Sequence, residues 1–301
     1  MFDTVENYRG NDERLFDAVL APAMPAWSGF AAAYERYRRF ASAPCMVRGG
    51  GNSEADLWTF YALSRVFEHL TLGIQDRSGI GRLRISLLDP NWPAPPFCSP
   101  SHDELVRFFG ALGMERMSNH PQYHPFLHEI AAAELDPDLG DDVLVEEELW
   151  PGLWFGDLVF ARAGVRVRCG PTARVNPAIA TRSTLYFTWL RLHRKVDDLS
   201  QGWGHNSQWR TRFRRDYFDG AMLRYNVDGH VCLAGARLTG ECICPPPDAP
   251  DDDAELHGDL TPGERIELLT HRCFVQSTKP DHDRWPFDDT YAEPTARLDT
   301  I

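Results

Sequence analysis

Three histidines spaced by four, His120, His124 and His128, precede Glu129 directly in the run Asn119–Ile130. Neutral imidazole and carboxylate are the usual ligands of zinc and non-haem iron. Positions four apart share one face of a helix, so His124 and His128 can converge, with Glu129 as third ligand of a zinc or iron ion. Such an ion would act as a Lewis acid or activate water. His128 and Glu129 are also acid/base candidates in their own right. Pro121 and Pro125 disfavour helical backbone at the residues before them. The pattern therefore predicts a helix starting at Pro125, with His124 near its cap and His128, Glu129 and Glu134 inside it. The plainer alternative is a loop-to-helix junction whose histidines bond backbone and water, and the run lacks the HExxH spacing of metalloproteases.

The densest polar stretch is Asp197–Tyr217. Gly202 and Gly204 flank Trp203, which implies a tight turn close to another group. His205, Asn206, Ser207, Gln208 and Trp209 follow, and then four arginines, at 210, 212, 214 and 215, within six positions. Guanidinium forks bind carboxylate or phosphate in pairs of hydrogen bonds, and indole faces stack on planar groups. Trp203, Asn206, Gln208, Trp209, Arg210 and Arg214 are accordingly candidate contacts to a small anionic ligand, with His205 as a further acid/base candidate. The competing expectation pairs these arginines with the chain's own carboxylates, Glu146, Glu147 and Glu148 among them. Ser207 lacks the Gly-x-Ser-x-Gly elbow of a nucleophile.

Other motifs are less informative. Cys242 and Cys244 are separated by one residue, too tight for an ordinary zinc knuckle, and in a strand they would share a face as small core side chains. Gly49-Gly50-Gly51 opens onto a helix start but lacks the Lys-Ser/Thr ending of a phosphate loop, and reads as a linker. No dinucleotide-binding fingerprint, kinase motif set or internal repeat is present.

The elements that must position these residues follow from hydrophobic period. Trp27, Phe30, Tyr34, Tyr37 and Phe40 recur at helical steps and predict an amphipathic helix over 26–43. A second helix is expected over 53–72, capped by Ser53 and ended by Gly73, and a third over 101–112, capped by Ser101. Residues 82–88, 164–169 and 183–193 alternate like strands. Asp228-Gly229 predicts a hairpin between 223–227 and 230–234. Residues 264–276 read as another strand. A proline cluster at 90–100 and an acidic, proline-rich stretch at 244–263 read as loops.

The expected fold is α+β, a helical N-terminal part packed on a largely antiparallel, strand-rich C-terminal part. With 301 residues the chain suits one compact domain, divisible into a helical part over 1–100 and a mixed, strand-rich part over 101–301. A net charge of −13 repels a phosphate backbone and argues against non-specific nucleic-acid binding. No apolar stretch approaches membrane-spanning length, and the start lacks a secretory signal. Seven scattered cysteines suit reduced thiols and a cytoplasmic location. Two function classes remain: an enzyme on a small anionic substrate, with or without a metal, and a binding module that presents the Trp/Arg-rich 203–216 segment to a protein partner. Thiol titration of the denatured, unreduced protein is expected to find all seven cysteines free; recovery of two or more disulfides would overturn the cytoplasmic expectation.

Overall fold

The computed structural model describes residues 1–6, 8, 10–44, 52–77, 98–177, 213–229, 231–233, 259–272, 275–278 and 289–295. The helical N-terminal part and the antiparallel-rich sheet structure that follows form an α+β fold. None of the described helices is long and apolar enough to cross a membrane.

The stretch expected to form one helix over 26–43 is instead a relay of short turns. They are a 3-10 turn Met24–Trp27, an α-turn Phe30–Ala33, and 3-10 turns Glu35–Tyr37 and Phe40–Ser42. Tyr34 leaves helical geometry, and Arg39 is extended. The aromatic stripe still faces inward. Phe30 and Tyr37 are buried and meet Phe60 edge-on, and Phe60 meets Phe155 in the same way. Such pairs add about 0.5–1.5 kcal/mol each beyond the area they bury.

Phe60 belongs to the long helix Asn52–Arg77, which also buries Leu57, Leu63, Phe67 and Leu70. Gly73, expected to end it, lies within it. The helix His102–Gly110 matches expectation: Ser101 caps it in a box with Glu104 and sends Leu105, Phe108 and Phe109 into the core.

Among the described residues ten strands follow: β1 (Glu115–Arg116), β2 (His128–Leu135), β3 (Val143–Trp150), β4 (Leu153–Phe155), β5 (Leu158–Ala161), β6 (Ala163–Cys169), β7 (Tyr217–Phe218), β8 (Met222–Tyr225), β9 (Val231–Cys232) and β10 (Asp289–Pro294). Seven make one sheet in the order β1-β4-β5-β7-β8-β10-β9, and three make another in the order β2-β6-β3. Only the β2–β6 and β9–β10 pairings among these are parallel. Arg162 alone separates β5 in the first sheet from β6 in the second, so the chain passes between sheets at that residue.

Three further expectations are corrected. The helix expected from Pro125 is strand β2, paired along its length with β6; a ladder partner outweighs the helix propensity of Ala131-Ala132-Ala133. The hairpin at Asp228-Gly229 is opened: β10 lies between β8 and β9 and pairs with both. Residues 264–276, read as a strand, begin instead with the helix Pro262–His271, which Thr261 caps in a box with Glu264. The predicted strands at 82–88 and 183–193 and the Gly49–Gly51 linker lie outside the described residues.

Gly164 of β6 stands opposite Trp150 of β3 and Glu129 of β2. A Cβ there would overlap the buried indole of Trp150. Gly164→Ala is therefore expected to lower stability by about 1–3 kcal/mol or more in urea denaturation; an unchanged midpoint would show that Trp150 moves aside freely.

Candidate functional site

Of the residues singled out in the sequence, Trp203, His205, Asn206, Gln208, Trp209 and Arg210 lie outside the described residues. Arg214, His124, His128 and Glu129 lie inside them. The acidic run Glu146–Glu148 pairs with other arginines: Glu146 and Glu147 with Arg168 and Arg166, and Glu148 with Arg116.

The histidine run folds as a turn leading into β2. The His124 backbone N–H donates to His128 Nδ1 at 3.0 Å, and the Phe126 N–H donates to His124 Nδ1 at 3.2 Å. Both Nδ1 atoms are acceptors, which puts the proton of each neutral ring on Nε2. His128 and Glu129 are consecutive in a strand and so leave opposite faces of the sheet. His124, His128 and Glu129 are thus not brought together, and no group of three His, Cys, Asp or Glu among the described residues is arranged to hold a metal. The helix expected to carry His128 and Glu129 is strand β2.

What the structure does bring together is a buried ionic network on Asp216, just before β7. Arg162 Nη2 donates to Asp216 Oδ2 at 2.6 Å and Arg214 Nε to Oδ1 at 2.7 Å. The Asn226 backbone N–H donates to Oδ1 at 2.7 Å, and Arg272 Nη2 stands 3.5 Å from Oδ2. The side chains of Asp216, Arg162 and Arg214 are at most 2% exposed, and that of Arg272 is 12% exposed. Burial opposes ionisation of Asp216, but Arg214, Arg162 and the Asn226 amide outweigh it and hold the carboxyl below its ordinary pKa.

Each member is placed by a different element. Arg162 is the link between the two sheets, and its Nε donates to the Pro125 carbonyl of the histidine turn. Arg214, expected to face a ligand, is instead an internal strut: its Nη1 donates to the Leu269 carbonyl in the last turns of the Thr261-capped helix. Arg272 follows that helix at φ 58°, and Asn226 follows β8 at φ 47°. These are the only non-glycine residues in the left-handed region among those described, and both act on Asp216.

The half-exposed front of the network carries rings. Tyr123 lies 5.9 Å from the His128 ring in a stacked arrangement and 6.0 Å from the His271 ring. The single proton of the Thr270 hydroxyl goes to the Ile266 carbonyl at 2.8 Å, so the oxygen accepts from His271 Nδ1 at 3.0 Å. That leaves the lone pair of His271 on Nε2. Burial first, then the charge of Arg174 and the neighbouring His124, hold the His271 pKa well below 6.5. Sequence reading missed Arg162, Asp216, His271 and Arg272. The one signal that could have found the last two was Thr261-Pro-Gly-Glu264, a capping box that fixes a helix ending at 271.

No family model, curated protein or solved structure matches this chain.

His128 is held neutral to about pH 3, by burial first and then by His120 and His124, whereas an unfolded histidine takes its proton near 6.5. Between those values the unfolded chain binds more protons, so stability falls as pH falls from 6.5 towards 3. At pH 5 the loss from this residue is roughly 2 kcal/mol. In His128→Asn a carboxamide oxygen can accept the same amide proton without titrating. Urea denaturation at pH 7 and pH 5 is expected to show a difference smaller by that amount in the variant; an equal difference would mean that His128 is charged in the fold.

Proposed function

We propose that the protein is an enzyme acting on a small anionic molecule held at the half-exposed front of the Asp216 network. Arg272 and Arg174 receive the substrate's acid group. Arg162 and Arg214 hold Asp216, and Asp216 fixes the direction of Arg272. His271 presents its Nε2 lone pair as the proton acceptor. Burial and the charge of Arg174 keep this imidazole neutral and weakly basic; an anion bound beside it raises its pKa towards the range where a general base works at neutral pH.

The observation that supports this reading is the pair of strained residues. A non-glycine residue in the left-handed region costs of order 1–3 kcal/mol, and such strain clusters where function demands it. A glycine at 272 would end the helix without that cost, yet an arginine stands there and reaches Asp216.

The variant Arg272→Gly tests this reading. It relieves the backbone strain while it removes the cation. Its melting temperature is expected to match or exceed that of the unsubstituted protein. Acetate, benzoate or inorganic phosphate, tested against chloride at equal ionic strength, is expected to raise the melting temperature of the unsubstituted protein but not of the variant. At 100 times its dissociation constant an anion adds roughly 2.7 kcal/mol. A variant that melts far lower, or a protein that none of these anions stabilises, would overturn the reading.

A further inference from the structure

We propose that residues 124–127 form a cover over the buried Arg162–Asp216 pair, and that it opens when a proton displaces the His124 N–H from His128. This device does not depend on the anionic-substrate reading.

The chemistry of the acceptors comes first. Main-chain N–H groups in a turn are ordinarily met by carbonyl oxygens, which do not take up protons near neutrality. Here two of them, those of His124 and Phe126, are met by imidazole nitrogens at 3.0 and 3.2 Å. An imidazole lone pair is a base, so a proton and a main-chain N–H compete for one place. A protonated Nδ1 is a donor facing a donor, and the bond is lost.

The surroundings oppose a charge on His128 in the closed turn. Its ring is buried and neighbours those of His120 at 6.5 Å and Tyr123 at 5.9 Å. Burial first, and then any charge on His120 and His124, disfavours an imidazolium there. β6 sets the neutral Ala163 opposite His128, and Glu129 leaves the other face of the sheet. The Thr261-capped helix contributes His271, whose ring lies 6.0 Å from that of Tyr123. β10 contributes Glu293, which stands 4.0 Å from His124 Nε2 and so favours charge on His124 instead. His128 therefore takes its proton by leaving the His124 N–H and entering water.

Position decides what this uncovers. The Pro125 carbonyl accepts from Arg162 Nε at 2.8 Å, and Phe126 is buried with its ring 5.1 Å from that of Tyr225. Arg162 Nη1 is buried without a hydrogen bond, and opening lets water reach it. The flanks are held separately. The Tyr123 N–H donates to the Val143 carbonyl and the Val145 N–H to the Pro121 carbonyl, while β2 is paired along its length with β6. Asp216 also stays charged in acid: burial opposes this, but Arg214, Arg162 and the Asn226 amide hold its pKa below the ordinary value. The response is thus local, an opening of the cover alone.

An exposed histidine takes a proton near pH 6.5 and the closed His128 only near 3, so the open form gains on the closed one as pH falls between those values. Hydrogen–deuterium exchange read by mass spectrometry tests this, with exchange times scaled to hydroxide concentration so that a segment of constant protection takes up label equally at every pH. From pH 7 to pH 5, uptake at His124, Phe126 and Leu127 is expected to quicken roughly twentyfold. Uptake over 217–225 is expected to hold level. In His128→Asn, whose carboxamide oxygen accepts the same N–H without titrating, the cover is expected to exchange equally at both pH values. Unchanged uptake at the cover of the unsubstituted protein, or an equal rise over 217–225, would overturn the device whatever the variant does. So would a variant whose cover still responds to acid as the unsubstituted protein does.

Discussion

Asp216 is a carboxylate taken wholly out of water, and such a group survives only if cations and amide donors replace what hydration supplied. Arg162, Arg214 and the Asn226 N–H do so, and through them one side chain holds four parts of the molecule in register. Arg162 leads to the histidine turn through Pro125, and Arg214 to the Thr261-capped helix through Leu269. Asn226 Nδ2 donates to the Asp289 carbonyl at the start of β10. The neighbouring Arg215 pairs with Asp228 and donates to the Pro44 carbonyl, and the Tyr217 hydroxyl donates to the Tyr37 carbonyl. Residues 214–217 thereby join the N-terminal helical part to both sheets. Loss of a single partner from a buried pair of this kind costs about 3–5 kcal/mol, because the remaining charge is stranded.

The same network explains how cationic character survives in a protein of net charge −13. Surface arginines of the three-stranded sheet are absorbed by Glu134, Glu146 and Glu147 in exposed pairs that contribute at most about 1 kcal/mol each. Inside, the guanidiniums of Arg162 and Arg214 converge on the buried carboxylate of Asp216. A net charge of this sign repels polyanions at long range.

Much of the fold was legible because hydrophobic period survives folding. The Phe60 stripe, the Ser101 cap and the alternation of β6 are local facts, and each became the element its residues announce. The misread elements are those that another part of the chain decides. Ala131–Ala133 is helix-prone until β6 offers a ladder, and the Asn226–Gly229 turn looks like a tight hairpin until β10 enters it. The site was the least legible part. Arg214 was singled out for its charge density, yet its partner Asp216 lies two residues away, and the other members come from residues 162, 226 and 272. Arg162 and Asn226 carry no mark in the sequence, and only the capping box at Thr261, which fixes a helix ending at 271, points towards Arg272.

The insertion of β10 between β8 and β9 has a consequence for the order of assembly. Two strands joined by only five residues are held apart until a segment made after the whole 233–288 stretch arrives to fill the gap. Until then β8 and β9 each present an unpaired edge towards the other, and Asn226 lacks the Asp289 carbonyl it finally bonds. The sheet therefore closes late, by a long-range step, and a chain emerging from the ribosome carries an open slot that any extended peptide could enter first.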